Sequence, residues 1–260
     1  MRRFSAMSVS GTRKMDKLSI LGLLVGLSAV MLGQHLEGGH FAMLLNGPAL
    51  LIVVGGALGA TMLQSPLPVF ARALRMGRWV LTPPAGSRQI VLRDLVIWCR
   101  IARREGVLGL EKPSQAVDDP YARKALQLLM DGNDPALIRE ILQTDSIARE
   151  QRDLLAAKVY EGIGGYMPTL GILGAVIGLI QVMNNLGDPS LLGQGIGVAF
   201  VATVYGVGLA NLVFLPIGSK LRALVREETR REEMLTIGIV AIADGESPQA
   251  IEYRLQGLLR

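Results

Sequence analysis

"GGYMPTLGILGAVIGLI", Gly164–Ile180, contains one ionisable side chain, Tyr166, and a glycine, alanine or proline every few positions. With its flanks it approaches the roughly 20 helical residues that cross a bilayer core of about 30 Å. Residues this small cannot fill a core by volume. Gly171, Gly174, Ala175 and Gly178 nevertheless share one broad helical face at spacings of three and four. In lipid such a face lets another helix backbone approach closely. The stretch therefore predicts a membrane-spanning packing helix.

The rest of the chain agrees in character. Of its 260 residues 50% are hydrophobic and 19% charged, and the mean hydropathy of +0.38 is high for a soluble domain. Four stretches are long and apolar enough to span: Leu18–Leu32, Leu44–Leu63, Gly165–Met183 and Ile196–Ile217. The first is short and follows Arg2, Arg3, Arg13, Lys14 and Lys17, the arrangement of a signal peptide, but no A-x-A-like cleavage site follows it. A retained helix is expected, behind a tail that lacks periodicity and is read as disordered or as preceding a start at Met15.

Positive charge sets the orientation, because short loops rich in Lys and Arg stay in the cytoplasm. The connections Gln34–Met43 and Asn184–Gly195 have none, whereas Arg72, Arg75 and Arg78 follow the second span and Lys220, Arg222 and Arg226 the fourth. Both termini and the middle of the chain are thus expected in the cytoplasm. The expected division is a tail (1–17), a first pair of spans (18–64), a cytoplasmic helical domain (65–163), a second pair (164–217) and a C-terminal tail (218–260). The fold class is an all-α membrane protein of two plus two spans. The net charge of +5 reads as orientation and contact with anionic membrane lipid; the interleaved aromatics of a nucleic-acid binder are missing.

Outside the spans, Val91, Leu95, Trp98 and Ala102 recur at helical spacing within Arg88–Arg104. "EGVLGLEKPSQ" (105–115) is expected to break that helix through Gly106, Gly109 and Pro113. A short helix is expected in "DPYARKALQLLMDG" (119–132). Asp134 followed by Pro135 opens another over Pro135–Gln143, and a separate one from Ser146 feeds the third span. "KLRALVREETRREEML" (220–235) predicts a helix continuing out of the fourth span.

The chemistry of the spans is notable for what is absent from them. No Asp, Glu, Lys, Arg or His lies within any of the four, and the polar side chains at depth are Thr61, Thr169, Thr203, Tyr205 and Asn211. Ion carriers usually place an ionisable group in the membrane, so if this chain conducts, a second protein must supply the carboxylate. The fourth span carries Gly195, Gly197, Ala199, Ala202, Gly206, Gly208 and Ala210 around most of its circumference. That surplus exceeds what four helices need for close approach, so further copies or another protein are expected against it. No cofactor, metal or catalytic constellation is expected. The single cysteine, Cys99, has no partner for an intrachain disulfide, and the histidines of "HLEGGH" (35–40) have the wrong spacing for one helical face.

"GGYMPTLGILGAVIGLI", "GVAFVATVYGVGLANLVFLPIGSKL" (197–221) and "ARREGVLGLE" (102–111) resemble the third span, fourth span and cytoplasmic charged loop of the MotA/PomA family, the flagellar stator subunits. "LEGGHFAMLLNGPALLIVVGGALGATMLQSP" (36–66) is similar to its MotC-type branch. The resemblance covers everything from Met15 onward. It implies five copies around two of a MotB/PomB-type subunit, whose membrane aspartate supplies the carboxylate and whose outer domain grips peptidoglycan, with the ring working on a rotor protein of FliG type. The work is mechanical, so no enzymatic reaction is expected. By the same resemblance Pro168 and Pro216 couple ion passage to the cytoplasmic domain, and Arg103, Arg104 and Glu111 face the rotor, although Glu105 stands where the family often has glycine. Sodium-driven members carry threonine at the positions matching Ala175, Ala202 and Thr203. This chain keeps only Thr203, too few oxygens to replace a sodium ion's water, so a proton is the expected ion. The alternatives are an ExbB/TolQ-type channel subunit, which has one helix before its large cytoplasmic part, and a small transporter, which would carry charges of its own at the midplane.

Overall fold

The computed structural model describes residues 16–38, 44–84, 86–184 and 189–259. Residues 1–15, with both candidate starts Met1 and Met15, lie outside the described residues, as does His40 of the 35–40 motif. Among the described residues there is no strand. Four helices are long and apolar enough to cross a membrane: α1 (Lys17–Leu36), α2 (Gly47–Gln64), α7 (Pro135–Asn184) and the run Gly195–Ala243. The last is divided by a π turn at Ala210–Phe214 into α8 (Pro189–Leu209) and α9 (Leu215–Ala243). Shorter helices complete the chain: α3 (Leu67–Met76), α4 (Arg88–Glu105), α5 (Glu111–Ala116), α6 (Pro120–Met130) and α10 (Pro248–Gln256). The protein is all-helical, with two spans before a helical region and two after it.

Two compact units emerge, one of residues 16–82 and 152–223, the other of 83–151 and 224–259. In the first, Asp16 caps α1, its carboxylate accepting from the amides of Leu18 and Ser19 at 3.0 and 3.3 Å, and Lys220 reaches both Asp16 and Ser19. Helix α1 buries none of its residues, as suits an apolar helix whose solvent is lipid. Asn46 caps α2 by accepting from the Ala49 amide at 3.0 Å, and Pro48 follows in the first turn, where its missing N–H costs nothing.

The second unit has the apolar core of a soluble domain. Leu95, Leu110, Tyr121, Leu126, Ile138, Leu142, Met234, Ile239 and Ile251 are fully buried. The expected face of α4 is its buried face, with Val91, Leu95 and Trp98 inward, joined by Cys99. Gly238 of α9 lies so close that a Cβ there would stand 2.3 Å from a Leu95 methyl.

Two local expectations are corrected. Pro135–Gln143 and the segment from Ser146 form one unbroken helix of 50 residues. Asp134 does cap its start, accepting from the Ala136 amide at 2.8 Å. The supposed break at 144–146 contains no glycine or proline. Ser146 spends its hydroxyl on Glu232 at 2.6 Å instead of capping a new helix, and Asp145 pairs with Arg149 one turn on, at 3.2 Å. Pro113 likewise breaks nothing: it occupies the first turn of α5, where a proline removes no helical hydrogen bond. The break falls at Gly106, whose φ of 76° is accessible at low cost only to glycine.

Candidate functional site: the glycine seam and the polar groups of the spans

Within the membrane unit α7 and α8 meet backbone to backbone. A Cβ added at Gly171 would stand 2.9 Å from the Ala202 carbonyl oxygen and 3.1 Å from the Gly206 Cα; one at Gly206 would stand 2.6 Å from the Met167 carbonyl oxygen. Two turns further along, a Cβ at Gly178 would stand 3.0 Å from the Ala199 amide nitrogen and 3.1 Å from the Gly195 carbonyl oxygen. A Cβ at Gly174 would stand 2.8 Å from the Ala202 methyl and 3.5 Å from a methyl of Ile52 in α2. Because ordinary contact is about 3.5 Å, the two backbones approach this closely only where these positions carry no side chain. Gly171, Gly174 and Gly178 therefore form a seam on one side of α7, and Ala202, fully buried, lies in it. The Thr203 Cα also borders it, 3.4 Å from where a Cβ at Gly171 would stand, and both Thr203 and Ala175 are half-buried.

The hydroxyls of the spans differ in how fully they are engaged. Thr61 is fully buried and donates to the Ala57 carbonyl at 2.7 Å; Thr169 donates to Tyr166 at 2.8 Å. Thr203 reaches the Ala199 carbonyl at 3.4 Å, beyond the usual 2.5–3.0 Å of a hydroxyl donor. Its back-bond is the weakest of the three, which leaves the oxygen able to take another partner.

Tyr205 was legible only as a polar group at depth. Its hydroxyl donates to the Leu44 carbonyl and accepts from the Asn46 amide at 3.2 Å, tying α8 to the start of α2. Tyr166 similarly donates to Gln64 at 2.9 Å. No local signal names either partner, because each is more than a hundred residues away.

Pro168 sits inside α7 without ending it, and it is half-buried. Pro216 is exposed and comes two residues after the π turn Ala210–Phe214. A proline cannot donate to the carbonyl one turn back and its ring crowds that carbonyl. A π turn widens the helix at that level, the form in which such a defect is commonly absorbed.

In the soluble unit Arg103 and Arg104 occupy the last turn of α4 and Glu111 opens α5, the two joined by Gly106 and a 3-10 turn, Val107–Leu110. All three are exposed, and Glu111 accepts from Gln115 of its own helix, at 3.4 Å. The same unit buries a polar cluster that the sequence did not suggest. The Tyr121 hydroxyl lies 2.8 Å from that of Thr236 and donates to the Leu142 carbonyl at 3.0 Å. The Arg149 guanidinium stands 5.4 Å over the Tyr121 ring. Burial pushes the Tyr121 phenol up to about 12, and burial also raises the Glu232 carboxyl.

Fold and site define a class: a multi-pass helical membrane protein whose apolar spans meet through a glycine seam and hold no Asp, Glu, Lys, Arg or His at depth. Comparison with known proteins gives the family. The profile "Motility protein A N-terminal" matches residues 20–105, and "MotA/TolQ/ExbB proton channel family" matches residues 113–234. Motility protein A of Bacillus subtilis (strain 168) is 31% identical over 245 residues, 93% of this chain and 90% of that protein. The structure of C. jejuni MotAB superposes with a TM-score of 0.90 at 28% identity, over 95% of this chain and 96% of that one. The flagellar MotAB stator complex from Bacillus subtilis gives 0.87 at 30%, over 94% and 96%. The chain belongs to the MotA/TolQ/ExbB proton channel family and, within it, to the motility protein A group, as the sequence resemblance implied. That is a family of channel subunits, not of enzymes.

Proposed function

We propose that this chain is the MotA-type subunit of a flagellar stator in the bacterial inner membrane. Its termini and helical unit lie in the cytoplasm, and it surrounds a MotB/PomB-type partner as a pentamer. The observation that carries the reading is the composition of the spans. A member of a proton-channel family whose own apolar spans hold no Asp, Glu, Lys, Arg or His must borrow the carboxylate that carries the ion. The membrane aspartate of a MotB/PomB-type subunit meets that need. The surplus of small residues on α8, which the seam with α7 uses only in part, suits close approach to that partner and to neighbouring copies. Two spans before the cytoplasmic helices, and the match of the motility N-terminal profile there, favour a stator over an ExbB/TolQ-type subunit.

In this reading the weakly bonded Thr203 hydroxyl orients water or the partner's aspartate. Ala175 and Ala202 leave the wall without the oxygens a sodium ion requires, and packing against Gly174 accounts for Ala202 as well. Pro168 and Pro216 loosen the helices where ion passage is coupled to movement, and Arg103, Arg104 and Glu111 dock on a rotor protein of FliG type. The test is complementation: the chain and its one-span partner should together restore swimming to a strain lacking stators, and changing the partner's membrane Asp to Asn should abolish it. Speed should fall with a protonophore and be indifferent to replacing sodium by potassium. Failure to restore swimming beside restored outer-membrane uptake would favour the ExbB/TolQ alternative, and a steep sodium dependence at constant proton-motive force would overturn the choice of ion.

A further inference from the structure

Helix α3 begins only two residues beyond the end of α2, after Ser65 and Pro66, with Ser65 in extended conformation. One side of it is fixed to the body of the membrane unit. Ala73 and Met76 are 1% exposed, and the Ala73 carbonyl accepts from Tyr160 of α7 at 3.1 Å. A Cβ at Gly77 would stand 2.4 Å from that same hydroxyl. Arg72 forms a two-point pair with Asp153 at 2.9 and 2.7 Å, and the Trp79 ring lies 5.3 Å from its guanidinium. Of the three arginines after α2, Arg72 is thus used inside the protein.

The outward side is of another kind. Leu67 and Leu74, seven residues and two turns apart, are 79% and 66% exposed, and Leu81 after the helix is 48% exposed. Arg75 and Arg78 flank this apolar stripe and are exposed. Neither has an acidic partner among the described residues, and no Asp or Glu occurs between Glu37 and Asp94. A helix with exposed leucines bordered by unpaired arginines, attached directly to the end of a span, has the form of one lying in the plane of the membrane surface.

We propose that α3 docks on the phospholipid headgroup layer at that end of α2, with Leu67, Leu74 and Leu81 among the upper acyl carbons and Arg75 and Arg78 on anionic lipid phosphates. Two observations select lipid over a protein partner: the apolar stripe continues directly from a span already in the bilayer, and the charge beside it is of one sign, complementary to an anionic leaflet. Asp153 on Arg72 and Tyr160 over Gly77 hold the helix so that this side faces outward.

The test uses the full chain with its partner subunit in nanodiscs of phosphatidylcholine, with or without phosphatidylglycerol. A nitroxide on Leu74→Cys should be accessible to oxygen and shielded from a water-soluble nickel chelate, while one on the exposed Gln115→Cys should show the reverse. Accessibility of the Leu74 label to the chelate would overturn the proposal. So would shielding from both reagents, which would mean that a neighbouring copy covers the stripe. The double variant Arg75→Gln, Arg78→Gln, altering two exposed side chains, should fold as the parent does and lose on the order of tenfold of the preference for phosphatidylglycerol over phosphatidylcholine. An unchanged preference would refute the role of the arginines.

Discussion

The α7–α8 seam predicts that Gly206→Ala destabilises the protein, although alanine is the better helix former. The added methyl would stand 2.6 Å from the Met167 carbonyl oxygen, 3.0 Å from the Gly171 Cα and 3.3 Å from the Gly171 nitrogen. All three are backbone atoms of α7, so no side chain can turn aside, and the two helices must move apart along the seam. Forcing a methyl into such a site costs about 1–3 kcal/mol, against a propensity gain of about 0.5–1 kcal/mol. The expected net loss centres on about 1 kcal/mol and reaches at most about 2.5 kcal/mol, the central value being a factor of roughly 5 in the ratio of folded to unfolded protein. Gly22→Ala on α1 is the control, because a Cβ there meets nothing within 4 Å. Both variants should be purified in the same detergent and their thermal unfolding followed by Trp fluorescence, with swimming measured in parallel. Gly206→Ala should unfold several degrees lower and swim less well, and Gly22→Ala should match the parent. Equal midpoints for the two variants would refute backbone contact at this seam.

Pro168→Ala restores a donor inside an otherwise continuous helix; it should leave assembly intact and reduce torque, and normal swimming at normal protein level would sink the coupling role. Arg103→Glu should weaken recruitment to the motor, and a complementary reversal on the rotor protein should restore part of it; fluorescence counting of bound stators checks both, and no change in either strain counts against the assignment. Glu232 offers a pH test. Burial raises its carboxyl above the ordinary 4.5, while the Ser146 hydroxyl and the charges of Arg149 and Arg231 act in the opposite direction. The folded state therefore holds this proton more tightly than the unfolded chain does, and the group's contribution to stability falls as pH rises from 4.5 through the raised value. Glu232→Gln keeps an acceptor for Ser146 and should raise the thermal midpoint at neutral pH, the difference vanishing below pH 4.5; a variant less stable at neutral pH would contradict the sign.

The amino-acid sequence by itself determined the solvent of each segment, the number and pairing of the spans and the family. The solvent of the segments and the number and pairing of the spans follow from composition and from periodicities within a few turns, which any short window of the chain displays; the family rested on the resemblance of particular motifs. Gly171, Gly174 and Gly178 were legible as a face for the same reason, and so was the inward side of α4. What that face meets was decided only in three dimensions. That Ala202 is fully buried in the seam while Thr203 beside it is only half-buried depends on how α8 is rotated against α7, and one residue of rotation on a helix whose surroundings are apolar all round leaves no mark on composition. The unbroken helix through 144–146 depends on Glu232, far along the chain, taking the Ser146 hydroxyl that would otherwise cap a new helix. Arg72 looked like its neighbours Arg75 and Arg78 until Asp153, 81 residues away, was seen to hold it. Charge near the end of a span is a local signal; whether that charge is neutralised inside the protein or left for the membrane is decided by which distant carboxylate the fold brings beside it.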